Sequence, residues 1–183
     1  MSNDILLVSL NNPRNYFYTR HNAGSWWIKY FSIKNKINLI FDSSGQYYFF
    51  NNLYLHGKIL HILEPNVFMN LNGLIIERYV YKFNIKYNNI LLIHDDLDLD
   101  CGSIKICYSS GSGGHNGVKS VIKYLNSNSF YRLKIGLGRK NKCIVNDFLL
   151  DIPKFNEFNL YIRSIKNSFF YLDYILNFNS INY

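Results

Sequence analysis

Short apolar runs separated by polar turns recur along the chain, and they predict β-strands. Residues 90–93 form a continuous apolar run, whose length fits a buried strand better than a helix. A second such strand is predicted at residues 131–137, with Arg132 and Lys134 on the face opposite to its apolar side chains. The other predicted strands, in chain order, are residues 5–10, 46–55, 58–63 and 103–108.

Other segments place apolar residues three or four positions apart, which predicts helices with one buried face. One helix is expected from Asn22, a candidate N-cap, to about residue 36, and a second from about residue 67 to residue 83. A third is expected at residues 116–125, and a long C-terminal helix at about residues 154–178. No linker, repeat or change of composition divides the chain. We therefore expect residues 1–183 to form a single α/β domain.

Polar residues collect directly after the predicted strand at residues 90–93. His94 and Asp95 follow this strand, and a glycine-rich loop further on closes at His115 and Asn116. In open α/β sheets, functional sites lie beyond the carboxyl ends of the strands. We therefore expect one functional site at this edge of the sheet.

Two further residues have a structural and a functional interpretation. His21 precedes a predicted helix, whose positive end disfavours imidazolium and keeps a histidine able to act as a base. A histidine hydrogen-bonded for structure is the alternative. Asn70 lies in the first turn of a predicted helix, where capping is the usual role. Its amide would also suit the binding of a peptide or ester carbonyl.

Several known motifs fail on spacing. A G-x-G-x-x-G loop starting at Gly111 would need a glycine where Asn116 stands, and no G-x-x-x-x-G-K-[S/T] loop is present. The serines among the glycines do not fit G-x-S-x-G. Asp96, Asp98 and Asp100 have the spacing of a calcium loop, but Cys101 stands where that loop needs glycine. We therefore expect no metal site.

The remaining candidates are suited to hydrolysis by water. A histidine and a carboxylate, here His21 and Asp95, can together deprotonate a water molecule. The amides of Asn12, Asn70 and Asn116 could hold a carbonyl group and its developing oxyanion. Since no serine or cysteine is placed as a nucleophile, attack by an activated water is the simplest chemistry, without metal or cofactor.

The chain has 20 basic and 12 acidic residues, a formal net charge of +8. Such an excess favours a polyanionic partner such as a nucleic acid, although a general enrichment in lysine would give the same number. Three cysteines without zinc spacing predict reduced thiols in a cytoplasmic protein. The polar start of the chain predicts no signal peptide, and no apolar run reaches the roughly 20 residues of a membrane span.

Six short motifs occur in an order and at intervals that closely resemble bacterial-type peptidyl-tRNA hydrolases, from about residue 5 to residue 150. They are Leu10-x-Asn12-Pro13, Tyr16-x-x-Thr19-Arg20-His21-Asn22-x-Gly24, Pro65-x-x-Phe68-Met69-Asn70-x-x-Gly73, His94-Asp95-x-Leu97-Asp98-Leu99, Gly113-Gly114-His115-Asn116-Gly117 and Arg132-Leu133-Lys134-Ile135-Gly136-x-Gly138-Arg139.

The resemblance implies a monomeric cytoplasmic α/β enzyme with a mixed central sheet flanked by helices. It would hydrolyse the ester between a peptide and the 3′ ribose of tRNA, and so recycle tRNA. His21 would be the catalytic base and Asp95 its orienting partner. Substrate would contact Asn12, Asn70, Asn116, Tyr16, Met69 and His115, with Asn116 also placing the water. Lys105, Lys134 and Lys142 would form the patch that binds the 5′ phosphate and acceptor stem.

This sequence departs from the family pattern at a few positions. Arg14 replaces the glycine after Asn-Pro, so the rim of the cleft is expected to differ. Cys107 stands where a second basic residue of the tRNA patch is usual, which predicts weaker tRNA binding. Ser109-Ser110 and Lys140 replace glycines and a proline. All of these changes lie outside the candidate catalytic residues.

Three other functions would share much of this pattern. A non-catalytic RNA-binding protein would be expected to lose His21 or Asp95, and both are present. A hydrolase acting on another acyl-nucleotide or small ester would need the same pair but no basic patch. A relative with a role in organelle RNA processing would show the same motifs.

Overall fold

The computed structural model describes residues 4–55, 57–139 and 144–172. These residues form one seven-stranded sheet with helices packed on both faces. The strands are β1 (Ile5–Ser9), β2 (Ile40–Asp42), β3 (Tyr47–Leu55), β4 (Lys58–Pro65), β5 (Ile90–Asp96), β6 (Ile104–Tyr108) and β7 (Tyr131–Gly136). The α-helices are α1 (Ala23–Lys34), α2 (Asn72–Phe83), α3 (Asn116–Leu125), α4 (Val145–Leu150) and α5 (Phe155–Asn167). Short 3-10 turns precede α1 and α2.

The sheet is mixed, with the strand order β2-β3-β4-β1-β5-β7-β6. Its four central strands, β4, β1, β5 and β7, are parallel, and β2, β3 and β6 run antiparallel to their neighbours. This confirms the expected mixed sheet flanked by helices. Because the parallel strands end at the same edge, the residues that follow β1, β4 and β5 lie close together there.

Continuous apolar runs occur in β1 and β5 because both faces of the sheet are covered. In β1, Ile5 and Leu7 face a core formed with α1 and α5, whereas Leu6 and Val8 face a core formed with α2 and α3. All four side chains are almost completely buried. None of the helices in the described ranges is long and apolar enough to cross a membrane.

The predicted helix ends needed correction. Asn22 is the residue before α1, but its side chain makes no cap bond and instead binds the backbone of Asn12. The predicted C-terminal helix is present as α5; after Asn167 a turn at Ser168 and Phe169 interrupts it, and residues 170–172 are helical again. Ser168 closes α5, since its backbone N–H and hydroxyl both donate to the carbonyl of Ile165. Residues 173–178 of the prediction lie outside the described residues.

Arg132 and Lys134 lie on one face of β7, as predicted, but their environments differ. The side chain of Arg132 is fully buried, because β7 lies inside the sheet and the glycine-rich loop covers this part of its face. The guanidinium donates from Nη1 to the carbonyl of Gly111 at 2.7 Å and from Nη2 to the carbonyl of Ser110. Arg132 therefore holds the glycine-rich loop in place.

Gly24 allows α1 to begin directly against the ends of β1 and β5. A Cβ atom at this position would lie 2.4 Å from the carbonyl oxygen of Ile93 and 3.1 Å from that of Leu10. These are backbone atoms inside the sheet edge, so they cannot move without displacing the strands. The close approach brings the turn that carries His21 onto the end of β5.

We expect Gly24→Ala to lower the free energy of unfolding by about 1–3 kcal/mol, the usual range for an overpacked core. The measurement is chemical denaturation of both proteins at one pH. Gly111→Ala is the matched control, because a Cβ atom there meets nothing within 4 Å. Equal stability of the Gly24 and Gly111 variants would contradict the close packing of α1 on the sheet.

Candidate active site

His21 and Asp95 meet at the carboxyl edge of the sheet. Asp95 lies near the end of β5, and His21 lies in the 3-10 turn before α1. Nδ1 of His21 lies 3.0 Å from Oδ1 and 3.1 Å from Oδ2 of Asp95. An ionised carboxylate only accepts hydrogen bonds, so Nδ1 carries the proton and Nε2 has a free lone pair. Nε2 makes no hydrogen bond to the described part of the chain, and 10% of the His21 side chain is exposed.

His115 is a second histidine partner of Asp95. Its Nε2 lies 3.0 Å from Oδ1 of Asp95, and its Nδ1 accepts from the backbone N–H groups of Gly117 and Val118 at 3.1 and 3.3 Å. Those N–H groups open α3, so the His115 side chain caps this helix. Because Nδ1 accepts, Nε2 carries the proton and donates to Asp95. The sequence indicated His115 only as a residue lining the cleft.

The two histidines determine the protonation of the buried carboxylate. Burial raises the pKa of Asp95, but the charges and hydrogen bonds of His21 and His115 outweigh it and hold this pKa well below the usual range. Burial lowers the pKa of His21. The charge of Asp95 and the hydrogen bond to it together raise this pKa by a larger amount. The net pKa of His21 is therefore higher than the ordinary 6.5. Asp95 is ionised at neutral pH.

His94 is a neutral neighbour of this pair. Its ring packs edge-on against His115 with centroids 4.8 Å apart, and its Nδ1 donates to the backbone carbonyl of Asp95 at 2.6 Å. Burial, followed by the nearby charge of His115, lowers the pKa of His94 to about 3. His94 therefore adds no positive charge to the site and helps to fix the backbone at Asp95.

Asn12 is held from three directions and keeps one donor free. Its backbone N–H and carbonyl bind the side chain of Asn22 at 2.9 and 3.0 Å, and its Oδ1 accepts from the N–H of Met69 at 3.1 Å. Nδ2 makes no hydrogen bond to the described part of the chain. Since Oδ1 is occupied, Asn12 offers a fixed N–H donor to a ligand.

Asn70 and Asn116 stand at the starts of α2 and α3. Both side chains are exposed, and neither is hydrogen-bonded within the described ranges. The backbone carbonyl of Asn70 accepts from the hydroxyl of Ser120 at 2.8 Å, which ties the two helices together. Asn70 is thus not a helix cap, the role that its sequence position favoured. Both amides remain available to a ligand.

Asn72, the first residue of α2, pairs with the backbone at the end of β1. Asn72 is fully buried; its Oδ1 accepts from the backbone N–H of Asn11 and its Nδ2 donates to the Asn11 carbonyl, both at 3.0 Å. This pairing fixes the start of α2 beside the end of β1. Its signal in the sequence is weak, since asparagine is abundant throughout the chain.

The aromatic and thioether groups border these amides. Tyr16 packs edge-on against Phe68 with ring centroids 6.3 Å apart, and the Phe68 side chain is largely exposed. Met69 is buried, and its Sδ would lie 2.6 Å from a Cβ atom at Gly117, close to His115. The structure therefore places Met69 beside His115, and Tyr16 with Phe68 on the neighbouring segment. Phe68 was not among the predicted site residues.

Two of the three predicted tRNA-binding lysines lie side by side. Lys105 of β6 and Lys134 of β7 are paired in register, so they project from the same face of the sheet. Lys105 is exposed, whereas Nζ of Lys134 lies 2.8 Å from Oδ2 of Asp96. Part of the positive charge of Lys134 is thus neutralised. Lys142 lies outside the described residues.

His21, Asp95 and His115 also have the composition of a metal site, with ligand atoms within 4.8 Å of one another. The hydrogen bonds account for this cluster, because both histidines direct an N–H group at Asp95. A cation between them would have to displace these two protons.

Comparisons with known proteins show what the chain is similar to in sequence and fold. A sequence model of the family described as peptidyl-tRNA hydrolase matches residues 6–180. A peptidyl-tRNA hydrolase of Buchnera aphidicola subsp. Acyrthosiphon pisum (strain 5A) is 36% identical over 164 residues, covering 87% of this chain and 92% of that protein. One of Baumannia cicadellinicola is 40% identical over 168 residues, covering 89% and 86%. The crystal structure of peptidyl-tRNA hydrolase from Acinetobacter baumannii superposes with a TM-score of 0.90 at 30% identity, covering 98% of this chain and 92% of that one.

We expect Asp95→Asn to lower the pKa of His21 below 6.5, because burial, which lowers it, would then act without the opposing carboxylate. NMR titration of the His21 imidazole measures this shift directly. Asp98→Asn removes an exposed carboxylate from the same loop and serves as the control, with no change expected. A His21 pKa that Asp95→Asn leaves at the wild-type value would contradict the electrostatic coupling.

Proposed function

Because the chain belongs to the peptidyl-tRNA hydrolase family, we propose that His21 is the general base of its reaction. The enzyme hydrolyses peptidyl-tRNA to free peptide and tRNA. The observation that carries the proposal is the hydrogen bond between Nδ1 of His21 and the buried, ionised Asp95. It leaves Nε2 as the one basic atom of this pair that can face a water molecule.

The reaction follows from this arrangement. Nε2 of His21 takes a proton from water as the water oxygen attacks the ester carbonyl carbon. Asp95 stabilises the imidazolium that forms, and it holds the ring in the tautomer that presents Nε2. The imidazolium then returns the proton to the 3′ oxygen of the ribose as the carbon–oxygen bond breaks. Only neutral His21 can act as the base, so the rate falls as the pH drops through its raised pKa.

The amides act on the substrate carbonyls. Asn12 donates from Nδ2, which is fixed because its Oδ1 is bonded to Met69. Asn70 and Asn116 offer unengaged amides at the starts of two helices, and Asn116 also places the attacking water. A preoriented donor stabilises the developing oxyanion without reorganisation during the reaction. Tyr16 and Met69 line the cleft around the scissile ester.

We propose that His115 both lines the cleft and acts on Asp95. Its hydrogen bond keeps one carboxylate oxygen occupied, and its Nδ1 anchors the arrangement to the first turn of α3. The position of α3, and with it that of Asn116, is thereby linked to the catalytic pair.

The tRNA contacts involve the basic face next to the site. Lys105 and Lys134, with Lys142, are proposed to hold the 5′ phosphate and acceptor stem while the 3′ end enters the cleft. Phosphate contacts of this kind position the substrate without reading its sequence. We further propose that the enzyme acts as a cytoplasmic monomer without metal. The free thiols of Cys101 and Cys107 are consistent with a reducing compartment.

We expect His21→Ala to abolish the release of tRNA from an N-blocked aminoacyl-tRNA, because no other base replaces Nε2. The assay compares it with wild type in the presence of EDTA, and thermal unfolding and tRNA binding show that the variant is folded. Release by the variant at most of the wild-type rate would remove the general-base assignment. Loss of wild-type activity in EDTA would point to a metal at the histidine cluster. Binding of tRNA without release by either protein would favour the RNA-binding alternative.

We expect Lys105→Ala to raise the KM for peptidyl-tRNA, with no change for a short 3′-aminoacyl fragment that lacks the acceptor stem. The slope of log KM against log salt is expected to fall by about 1, the value for one lost phosphate contact. Lys134→Ala is expected to have a smaller effect, since Asp96 already neutralises part of its charge. Lys82→Ala, an exposed lysine in the last turn of α2, is the control. Equal losses on both substrates would place Lys105 outside the tRNA contact.

A further inference from the structure

Arg20 immediately precedes His21, yet none of the steps above uses its side chain. The residue is 3% exposed and lies in the same 3-10 turn as His21. A buried guanidinium remains charged and is costly to desolvate. A buried arginine is therefore expected where its hydrogen bonds hold other groups in place. The turn that holds Arg20 has three residues, and His21 is the next one in the chain.

The guanidinium binds two carboxylates from the C-terminal part of the chain. Nη2 lies 2.7 Å from Oε2 of Glu157, and Nη1 lies 3.1 Å from Oδ2 of Asp151. Nη1 also donates to the carbonyl of Phe148 at 3.3 Å, and the ring of Phe148 lies 4.5 Å from the guanidinium carbon. Arg20 therefore joins the His21 turn to α4 and to the start of α5.

The backbone strengthens the same connection. The N–H of Arg20 donates to the carbonyl of Asp151 at 3.2 Å. Oε2 of Glu157, which binds Arg20, also accepts from the N–H of Lys154, the residue before α5. One carboxylate oxygen thus serves the first turn of α5 and the guanidinium together. The position of α5 and that of the His21 turn are set by shared hydrogen bonds.

We propose that Arg20 is a positioning residue for the catalytic base, and that Glu157 and Asp151 hold it there. Arg20 and its partners form a lock, defined here as Arg20, Asp151 and Glu157, between the C-terminal helices and the turn that carries His21. The lock acts through His21 and makes no contact with substrate. This inference rests on the proposed role of His21.

Glu157 and Asp151 contribute unequally to holding Arg20 in place. The side chain of Glu157 is 20% exposed, whereas that of Asp151 is 68% exposed and its ion pair is screened by water. Glu157 also provides the shorter contact with Arg20. The larger effect is therefore expected from Glu157.

The first test is Glu157→Gln, which keeps the size of the side chain and removes its charge. We expect kcat to fall by about tenfold to a hundredfold, within the range for a misplacement of the catalytic group of about 1 Å. KM is expected to stay within twofold, because the substitution does not alter the proposed substrate-binding asparagines or the face that carries Lys105 and Lys134. Asp151→Asn is expected to cost less, and Arg20→Lys, which keeps the charge but cannot bridge both carboxylates, is expected to retain part of the activity.

A pH profile separates positioning from general destabilisation. The pKa of His21 is raised by its contact with Asp95, and a loosened turn weakens that contact. The acid limb of kcat/KM is therefore expected to move to lower pH in Glu157→Gln. Ser168→Ala is the matched control: it removes the hydrogen bond from Trp27 Nε1 to Ser168 Oγ, also between α1 and the C-terminal region but away from the His21 turn. It is expected to lower Tm with an unchanged acid limb and kcat.

Three outcomes would overturn the inference. These are a wild-type kcat and acid limb in Glu157→Gln, an equal loss of kcat in Ser168→Ala at equal loss of Tm, or a change confined to KM. His21→Ala is measured beside them, since an active His21→Ala would remove the proposed base itself. An inactive His21→Ala together with a fully active Glu157→Gln would remove only the lock.

Discussion

The buried carboxylate of Asp95 is the group on which the rest of the site depends. Burial favours its protonated form, and an unpaired buried carboxylate costs several kcal/mol. Two histidine N–H groups keep it ionised, one from the turn before α1 and one from the residue that caps α3. Both helices must therefore begin at the end of β5. Gly24 makes this approach sterically feasible for α1, and the backbone N–H groups of α3 fix the tautomer of His115.

Asparagines perform two separate tasks around this carboxylate. Asn22 and Asn72 are buried, and each binds both the N–H and the carbonyl of a residue just beyond β1, replacing the pairing that the sheet no longer supplies. Asn12, Asn70 and Asn116, the proposed substrate ligands, instead keep at least one amide donor without a partner among the described residues. Catalysis by oriented donors requires such a division, because a donor stabilises an oxyanion best when its own backbone is already held.

The basic residues divide in a similar way. Arg20 and Arg132 are buried and bind protein groups: Arg20 connects the His21 turn to the C-terminal helices, and Arg132 holds the glycine-rich loop. Lys105 is exposed, and Lys134 next to it is paired with Asp96. The formal net charge of +8 therefore overstates the positive charge that this face presents. The positions of the cations, more than their number, determine where a phosphate backbone can bind.

The main strands, the start of α3 and the set of candidate residues could be predicted from the sequence. Local apolar patterns and turn residues encode these features directly: residues 116–125 were predicted as a helix and are α3, while the run at residues 90–93 forms the start of β5. Among the described strands and α-helices, β2 and α4 were not predicted, because they are short and partly exposed. Three outcomes could be seen only in the folded chain: Asp95 binds two histidines, Asn22 binds Asn12 and does not cap α1, and Arg132 is buried. Those outcomes depend on contacts between residues far apart in the chain, such as His21 and Asp95, and a linear pattern carries no information about which elements are brought together.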